Sequence, residues 1–103
     1  MNPKRKQIFN AAVKKFSENG ATDTTMKEIA QEAGVGKGTL YRYFEDKEDL
    51  VSSLMSYGFK ELTEELKAEI EGIETALDKI KKAVEVQLSF YKRHSDFCRF
   101  LIR

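Results

Sequence analysis

Residues 25–47 read TMKEIAQEAGVGKGTLYRYFEDK, and this stretch decides the fold of the first half of the chain. It holds two short segments with apolar residues at helical spacing, separated by a glycine-rich turn at 34–36. Thr25 is followed three residues later by Glu28, which is typical of a capping box and predicts that a helix begins there. Gly34 is placed to end that helix. A second helix is predicted from Lys37 to Phe44. The pattern therefore predicts a helix-turn-helix.

The second of these helices has a buried face and an outward face. At 100° per residue, Leu40 and Phe44 point in one direction and Arg42 points the opposite way, with Gly38 and Thr39 beside it. The predicted helix-turn-helix core consists of Ile29, Ala33, Val35, Leu40 and Phe44. An arginine can bind guanine and a threonine methyl can contact the thymine methyl, while a glycine permits close approach. The outward face therefore suits the major groove of DNA.

Cations and hydroxyl groups at the edges of this face are suited to DNA phosphates. Tyr41 and Tyr43 lie on the two shoulders of the helix, and Lys47 follows it. Thr25 opens a helix whose free backbone N–H groups can also hold a phosphate. The alternative is a polar helix face that only contacts solvent, and the residue pattern alone leaves both readings open.

The rest of the chain also has helical periodicity, and we find no segment with the period of two that indicates a strand. The first helix is predicted to begin at Pro3, with Asn2 as its N-cap, and to end at Asn19-Gly20. Asp46 is predicted to cap a long fourth helix. Gly58 interrupts that helix, and we favour close packing of another helix over a hinge as the reason.

Beyond Gly72 the pattern predicts two further helices. The fifth has apolar residues at three- and four-residue steps: Leu77, Ile80, Val84, Leu88 and Tyr91. The sixth is predicted over Asp96 to Arg103, with Ser95 as its cap. Core or interface packing is the favoured role of the nearby aromatic cluster, and a ligand pocket is the alternative: Phe90, Tyr91, Phe97 and Phe100.

Composition and charge restrict the function. The chain has 103 residues, of which 41% are hydrophobic and 34% charged, and this excludes a membrane span and argues against disorder. Residues 1–47 hold nine Lys/Arg and six Asp/Glu, for a net charge of +3, whereas residues 48–103 hold nine and eleven, for −2. A basic first half fits a surface that faces phosphates. Cys98 is the single cysteine, which excludes an internal disulfide and predicts a reducing cytoplasm.

Three weaker motifs do not support an enzyme or a bound cofactor. The G-x-G-x-G spacing of residues 34–38 fits neither of the usual nucleotide-binding fingerprints. His94 and Cys98 are four residues apart but have no evident third metal ligand. Ser89, His94 and Asp96 are close only in sequence, without the strand-turn-helix of a hydrolase. We therefore predict no enzymatic activity, no cofactor and no metal.

A larger set of residues has a family pattern. These are Ile8, Ala11-Ala12, Phe16, Gly20, Thr24-Thr25, Ile29-Ala30, Ala33-Gly34-Val35, Lys37-Gly38-Thr39-Leu40-Tyr41, Tyr43-Phe44, Lys47 and Leu50. In order and spacing they resemble the DNA-binding domain of the TetR family of bacterial transcriptional regulators. The resemblance implies an all-α fold, in which a homeodomain-like three-helix bundle with a helix-turn-helix precedes the long helices of an incomplete effector domain. The head would span residues 1–47 (a TetR-type domain of about 2–62), and the connecting helix and effector or dimerisation part 48–103.

The resemblance also implies the residues that contact DNA. Carried over by position, they are Thr25, Gly36, Lys37, Gly38, Thr39, Tyr41, Arg42, Tyr43 and Lys47. Lys37 to Tyr43 would be the recognition helix. Gly36 stands where the family commonly has Ser, so a hydroxyl contact and a helix cap are missing. Tyr43 replaces a common His, and its hydroxyl can still reach a phosphate.

The expected function is that of a sequence-specific transcriptional regulator. The resemblance implies a ligand-responsive repressor that binds a palindromic operator in double-stranded DNA as a homodimer. The effector domain of the family continues beyond this length, so we expect the chain to be part of a longer protein, to which any small-molecule effector belongs. The apolar C-terminal residues are expected to mediate self-association: Phe97, Phe100, Leu101 and Ile102. The alternative is a helical protein-interaction module, whose binding would lack the steep salt dependence of DNA binding.

Overall fold

The computed structural model describes residues 2–101, which form six α-helices and, within this range, no strand. The helices are α1 (Pro3–Asn19), α2 (Met26–Ala33), α3 (Lys37–Tyr43), α4 (Lys47–Ile70), α5 (Ala76–Arg93) and α6 (Ser95–Leu101). The predicted all-α class is confirmed. Of the predicted sixth helix, Ile102 and Arg103 lie outside the described residues, as do the side chains of Phe100 and Leu101.

Local capping interactions explain where the helices begin. The Asn2 side chain accepts hydrogen bonds from the first turn of α1, and the Asp46 side chain accepts one from the backbone N–H of Asp49 at 2.8 Å. Both caps were predicted from the sequence. The prediction for α6 is wrong by one residue: Ser95 is the first residue of the helix and not its cap. The carbonyl of His94 accepts the N–H of Cys98 at 3.0 Å, so His94 precedes the helix.

One apolar core runs through the head and continues into the later helices. Four of the five predicted helix-turn-helix core residues are buried: Ile29, Ala33, Leu40 and Phe44. Val35 is only partly buried and packs against the edge of this core, because it lies in the turn between α2 and α3. From α1, Ile8 and Phe16 are fully buried, and Phe90 of α5 and Phe97 of α6 belong to the same cluster. The division of the chain at residue 47 stays a prediction.

Gly58 of α4 lies in close contact with the Phe97 ring of α6. A Cβ atom at this position would lie 2.7 Å or less from three atoms of the Phe97 ring, so the ring occupies the space that a side chain would need. Phe97 is buried and also packs edge-on against Phe59, with ring centroids 6.3 Å apart. This contact agrees with the predicted close packing at Gly58.

The apolar stripe predicted on α5 faces solvent. All five of its residues are exposed: Leu77, Ile80, Val84, Leu88 and Tyr91. The residues of α5 that pack inward are Val86 and Phe90, which lie on the opposite side of the helix. The pattern therefore identified the helix correctly but not the face that packs against α4. No helix within residues 2–101 combines the length and apolarity needed to cross a membrane.

Two titratable groups near the contact between α4 and α6 have altered pKa values. The Tyr57 hydroxyl donates a 2.8 Å hydrogen bond to Glu61 Oε1, and this bond, together with burial and the charge of Glu61, raises the pKa of Tyr57. Burial raises the pKa of the Cys98 thiol. The thiolate of Cys98 is therefore disfavoured, and the side chain acts as a small apolar group in the packing of α6.

Candidate nucleic-acid interface

Capping and a left-handed glycine fix the geometry of the helix-turn-helix. Thr25 Oγ1 accepts the N–H of Glu28 at 3.1 Å, and Glu28 Oε1 accepts the N–H of Thr25 at 3.3 Å, which confirms the predicted capping box. Gly34 ends α2 with φ +72°, a conformation that side chains disfavour. The N–H of Val35 then returns to the carbonyl of Ala30 at 3.0 Å. The turn therefore holds α3 in a defined orientation against α2.

Of the three residues that the helical wheel places on the outward face of α3, Gly38 and Arg42 are exposed and Thr39 is half-buried. Lys37, Gly38, Tyr41 and Arg42 are exposed, whereas Leu40 is fully buried. Thr39 and Tyr43 are half-buried, and Gly36 and Thr25 are exposed at the starts of their helices. The structure therefore places eight of the nine predicted contact residues along the exposed edge of the helix-turn-helix. Their contacts with DNA remain a prediction.

A cleft of about 430 Å³ lies on one side of α3. It is lined by residues of the α1–α2 loop and of α2, α3 and α4: Thr22, Thr24, Thr25, Met26, Lys27, Lys37, Tyr41 and Lys47. Three of these residues are lysines, and the lining contains no acidic side chain. We call this the lysine cleft. A cleft with this composition suits an anion.

Lys47, the ninth predicted contact residue, has a structural role in the lysine cleft that the sequence did not indicate. Its Nζ donates hydrogen bonds to the carbonyl oxygens of Thr22 at 3.2 Å and of Thr24 at 3.0 Å. These bonds attach the α1–α2 loop to the first turn of α4. They also hold the ammonium group near the start of α2, where its charge remains available to a nearby phosphate. The phosphate contact of Lys47 itself stays a prediction.

A second cleft, of about 470 Å³, lies beside α3 where the helix faces the start of α1. Its lining is Lys4, Gly34, Val35, Gly36, Thr39, Arg42 and Tyr43. We call this the α1–α3 cleft. Lys4 was not among the predicted contact residues, because its position opposite α3 depends on tertiary packing and not on a local pattern.

Among residues 2–101, the ion pairs of the head involve α1 and α2 and not α3. Lys14 and Lys15 of α1 both pair with Glu32, at 3.3 and 3.8 Å. Among residues 2–101, by contrast, no ion pair involves the cations that line the two clefts: Lys4, Lys27, Lys37, Arg42 and Lys47. Within residues 2–101, the cations beside α3 are therefore not neutralised by an ion pair. The same range of residues contains no group of three or more His, Cys, Asp or Glu side chains placed to hold a metal ion.

Comparison with known proteins agrees with this geometry. Residues 8–54 match the family model described as "Bacterial regulatory proteins, tetR family". The fatty acid metabolism regulator protein of Bacillus subtilis (strain 168) is 36% identical over 87 residues, which are 84% of this chain and 45% of that protein. The transcriptional regulator HbdR of Aromatoleum sp. (strain CIB) is 37% identical over 81 residues, which are 79% of this chain and 35% of that protein.

Solved structures give the same result for the fold. The structure of the fatty acid degradation regulator FadR from Bacillus halodurans superimposes with a TM-score of 0.91 at 27% identity, over 96% of this chain and 52% of that one. A TetR-like transcriptional regulator from Rhodococcus sp. RHA1 gives 0.88 at 26% identity, over 95% and 54%. The chain thus spans about half the length of the solved structures that it matches, and less than half of these two relatives.

Proposed function

Because the chain belongs to the TetR family of bacterial regulatory proteins, we propose that its helix-turn-helix binds duplex DNA sequence-specifically to regulate transcription. The observation that carries this proposal is the exposed face of α3, where Arg42 points away from the buried Leu40 and Phe44. Clefts lined by cations lie on both sides of that face. An α-helix fits into the major groove, so Arg42 can reach base edges while the lysines contact phosphates.

The finer parts of the proposal concern the whole protein. We infer a ligand-responsive repressor that binds a palindromic operator as a dimer and acts in the cytoplasm, without enzymatic activity of its own. Two copies place two recognition helices about 34–36 Å apart, or a multiple of that distance, on a palindrome. A small-molecule effector would bind the part of the protein that follows the head. The roles in fatty acid metabolism and degradation belong to the Bacillus subtilis and Bacillus halodurans proteins.

Salt dependence tests DNA binding against the alternative of a protein-interaction module. Titration of a labelled duplex with the 103-residue chain at several salt concentrations should give a steep, linear loss of log K with log[salt], because binding releases counterions from phosphates. Association through apolar surfaces lacks this dependence. The proposal is wrong if the folded chain binds no duplex at about 50 mM salt, where non-specific affinity should already be measurable.

The substitution Arg42→Ala should weaken binding to the preferred site by about 1–3 kcal/mol and relax the preference at one base pair. The reason is that a bidentate arginine–guanine contact discriminates against the other bases, whereas a phosphate contact does not. Binding isotherms on the preferred site and on its single-base variants measure both effects. Lys37→Ala is the matched comparison, for which we expect a loss that is the same for every variant. A uniform loss for Arg42→Ala would contradict the proposed orientation of α3 in the groove.

The exposed stripe on α5 should make the chain self-associate through its C-terminal half. Leu77, Ile80 and Leu88 are each about 60% exposed on one side of the helix, and contiguous apolar surface of this kind tends to find a partner. Sedimentation at low micromolar concentration should detect the association, and Ile80→Glu with Leu88→Glu should abolish it. Lys79→Glu, on another side of α5, should not. A monomer that binds a half-site as tightly as a full palindrome would contradict this prediction.

A further inference from the structure

We propose that Lys4 binds a backbone phosphate of the duplex in the α1–α3 cleft, so that cations hold the DNA backbone on both sides of α3. This inference rests on the proposed function, because it names an additional contact to the same DNA. It concerns a residue outside the predicted contact set and a helix, α1, that the helix-turn-helix does not include. Its consequence is a phosphate-binding site built from two helices that are remote in sequence.

The first turn of α1 is fixed in place by three separate contacts. The Asn2 side chain accepts the backbone N–H of Lys4 at 2.8 Å and so caps the helix. The Arg5 guanidinium lies 5.3 Å from the ring centroid of Phe9 and 4.8 Å from that of Phe44. The Gln7 side-chain amide donates a hydrogen bond to the carbonyl of Ala33, at the end of α2. The backbone at Lys4 is therefore positioned and does not depend on a fraying terminus.

The contact between Gln7 and Ala33 shows on which side of α1 Lys4 lies. Residues three apart in a helix share one face, so Lys4 lies one turn before Gln7 on the side that faces the turn between α2 and α3. Lys4 accordingly lines the α1–α3 cleft together with Arg42 and Tyr43. A shift of one residue along α1 would move this cation off the cleft. The phosphate-binding role is therefore specific to position 4 among the basic residues of α1.

The α1–α3 cleft has the composition that a phosphate requires. Its floor is the turn from Gly34 to Gly36, and a Cβ at Gly36 would meet no atom within 4 Å, so the floor is open. Thr39 and Tyr43 supply hydroxyl groups on the α3 side, and no acidic side chain lines the cleft. Among the described residues, no hydrogen bond or ion pair engages the Lys4 ammonium. The ammonium is therefore available to an anion.

The two clefts lie on different sides of α3, where the two DNA strands that border a major groove would run. Tyr41 and Lys37 line the lysine cleft, whereas Thr39, Arg42 and Tyr43 line the α1–α3 cleft. Because these sets lie on different sides of α3, a helix in the groove would bring one cleft near each sugar-phosphate backbone. Lys4 then balances the lysines on the opposite side. Without Lys4, only one of the two backbones would meet a lysine.

The test is the salt dependence of Lys4→Ala compared with that of the unmodified chain. Each phosphate contact contributes about 0.9 to the slope of log K against log[salt], so the variant should have a slope shallower by about that amount. Its affinity deficit should shrink about threefold between 50 and 200 mM salt and be the same for all sequences. Lys67→Ala removes the same charge from an exposed position at the far end of α4 and should leave the slope unchanged. Lys4→Arg should also preserve it.

Mapping with neutral methylphosphonate linkages supplies a second readout. One phosphate in each half-site should matter to the unmodified chain and not to Lys4→Ala, because the variant has already lost that contact. If Lys4→Ala has the slope of Lys67→Ala while Arg42→Ala still loses base preference, the inference about Lys4 is wrong and the proposed function stands. If the folded, unmodified chain binds no DNA, both are wrong. Thermal unfolding of Lys4→Ala should match that of the unmodified chain, which excludes a folding defect.

Discussion

Replacing Phe44 with alanine should lower the free energy of unfolding by about 3–5 kcal/mol. The Phe44 ring is 1% exposed and lies 5.5 Å from the ring of Phe9, centroid to centroid. It also carries the Arg5 guanidinium, 4.8 Å above it, so the truncation would leave a cavity and remove this contact at once. Urea unfolding followed by circular dichroism measures the effect, which is a large part of the stability of a protein this small.

Tyr41→Ala is the matched control for this prediction. Tyr41 is an aromatic residue of α3, the helix that Phe44 directly follows, but 46% of it is exposed. Its truncation should therefore change the free energy of unfolding by less than about 1 kcal/mol. Equal losses for the two variants, or a loss below about 1 kcal/mol for Phe44→Ala, would mean that α3 does not pack as described. The outward direction of Arg42 would then also be wrong.

Replacing Gly58 with alanine should destabilise the chain by about 1–3 kcal/mol, the usual range for overpacking. In an exposed helix interior the same change is favourable by up to about 1 kcal/mol, because glycine is the poorer helix former. Here the new methyl group would overlap the Phe97 ring, which lies 2.7 Å or less from the position of the added Cβ. The ring would have to leave its buried position between α4 and α6. Thermal or urea unfolding of the variant measures the change.

In a chain that already carries Phe97→Ala, the substitution Gly58→Ala should stabilise the fold instead of destabilising it. Without the ring, the three atoms nearest to the added methyl group at position 58 are gone, and the intrinsic preference of alanine for helix remains. Gly58→Ala should then raise the free energy of unfolding relative to Phe97→Ala alone. The two substitutions are in contact, so a large coupling energy between them is expected. Stabilisation of the unmodified chain by Gly58→Ala would show that Phe97 does not pack on α4.

Helix starts and the turn of the helix-turn-helix could be predicted because their causes are local. Asn2, Thr25 and Asp46 each accept a hydrogen bond from a backbone N–H two or three residues further on, so the residue types and their spacing are sufficient evidence. The positive φ of Gly34 also has a local cause, because a glycine directly after the last helical residue commonly ends a helix in the left-handed conformation. The predicted start of the sixth helix is one residue too late, because a serine next to a helix start can be either the cap or the first helical residue.

Packing partners could not be predicted with the same success. The larger apolar stripe on α5 faces solvent and the smaller pair, Val86 and Phe90, packs inward. Periodicity reports that a helix has an apolar face, but not which of two such faces meets a neighbour. The partner of Gly58 was equally hidden, because Phe97 comes from a helix 39 residues further along. Close packing was predicted there, but the ring that requires it was not identified.

In the candidate interface, too, features with a local cause could be predicted and features that depend on tertiary packing could not. The direction of Arg42 follows from the angular spacing of Leu40 and Phe44 within one helix, and the structure agrees with it. The two carbonyl contacts of Lys47 and the position of Lys4 opposite α3 both depend on how distant segments meet. Lys47 is a phosphate candidate both on the residue pattern and on the family resemblance, but neither the pattern nor the resemblance points to Lys4.

Selection of bound sequences from a random pool of duplex DNA tests most directly the claim that α3 reads bases in the major groove. The pool should be enriched by the 103-residue chain at low salt, and the bound sequences should converge on a half-site, repeated with two-fold symmetry where two copies bind together. The same selection with Arg42→Ala should lose the preference at one position of that half-site. Bound sequences that show no consensus, or a consensus unchanged by Arg42→Ala, would contradict the account.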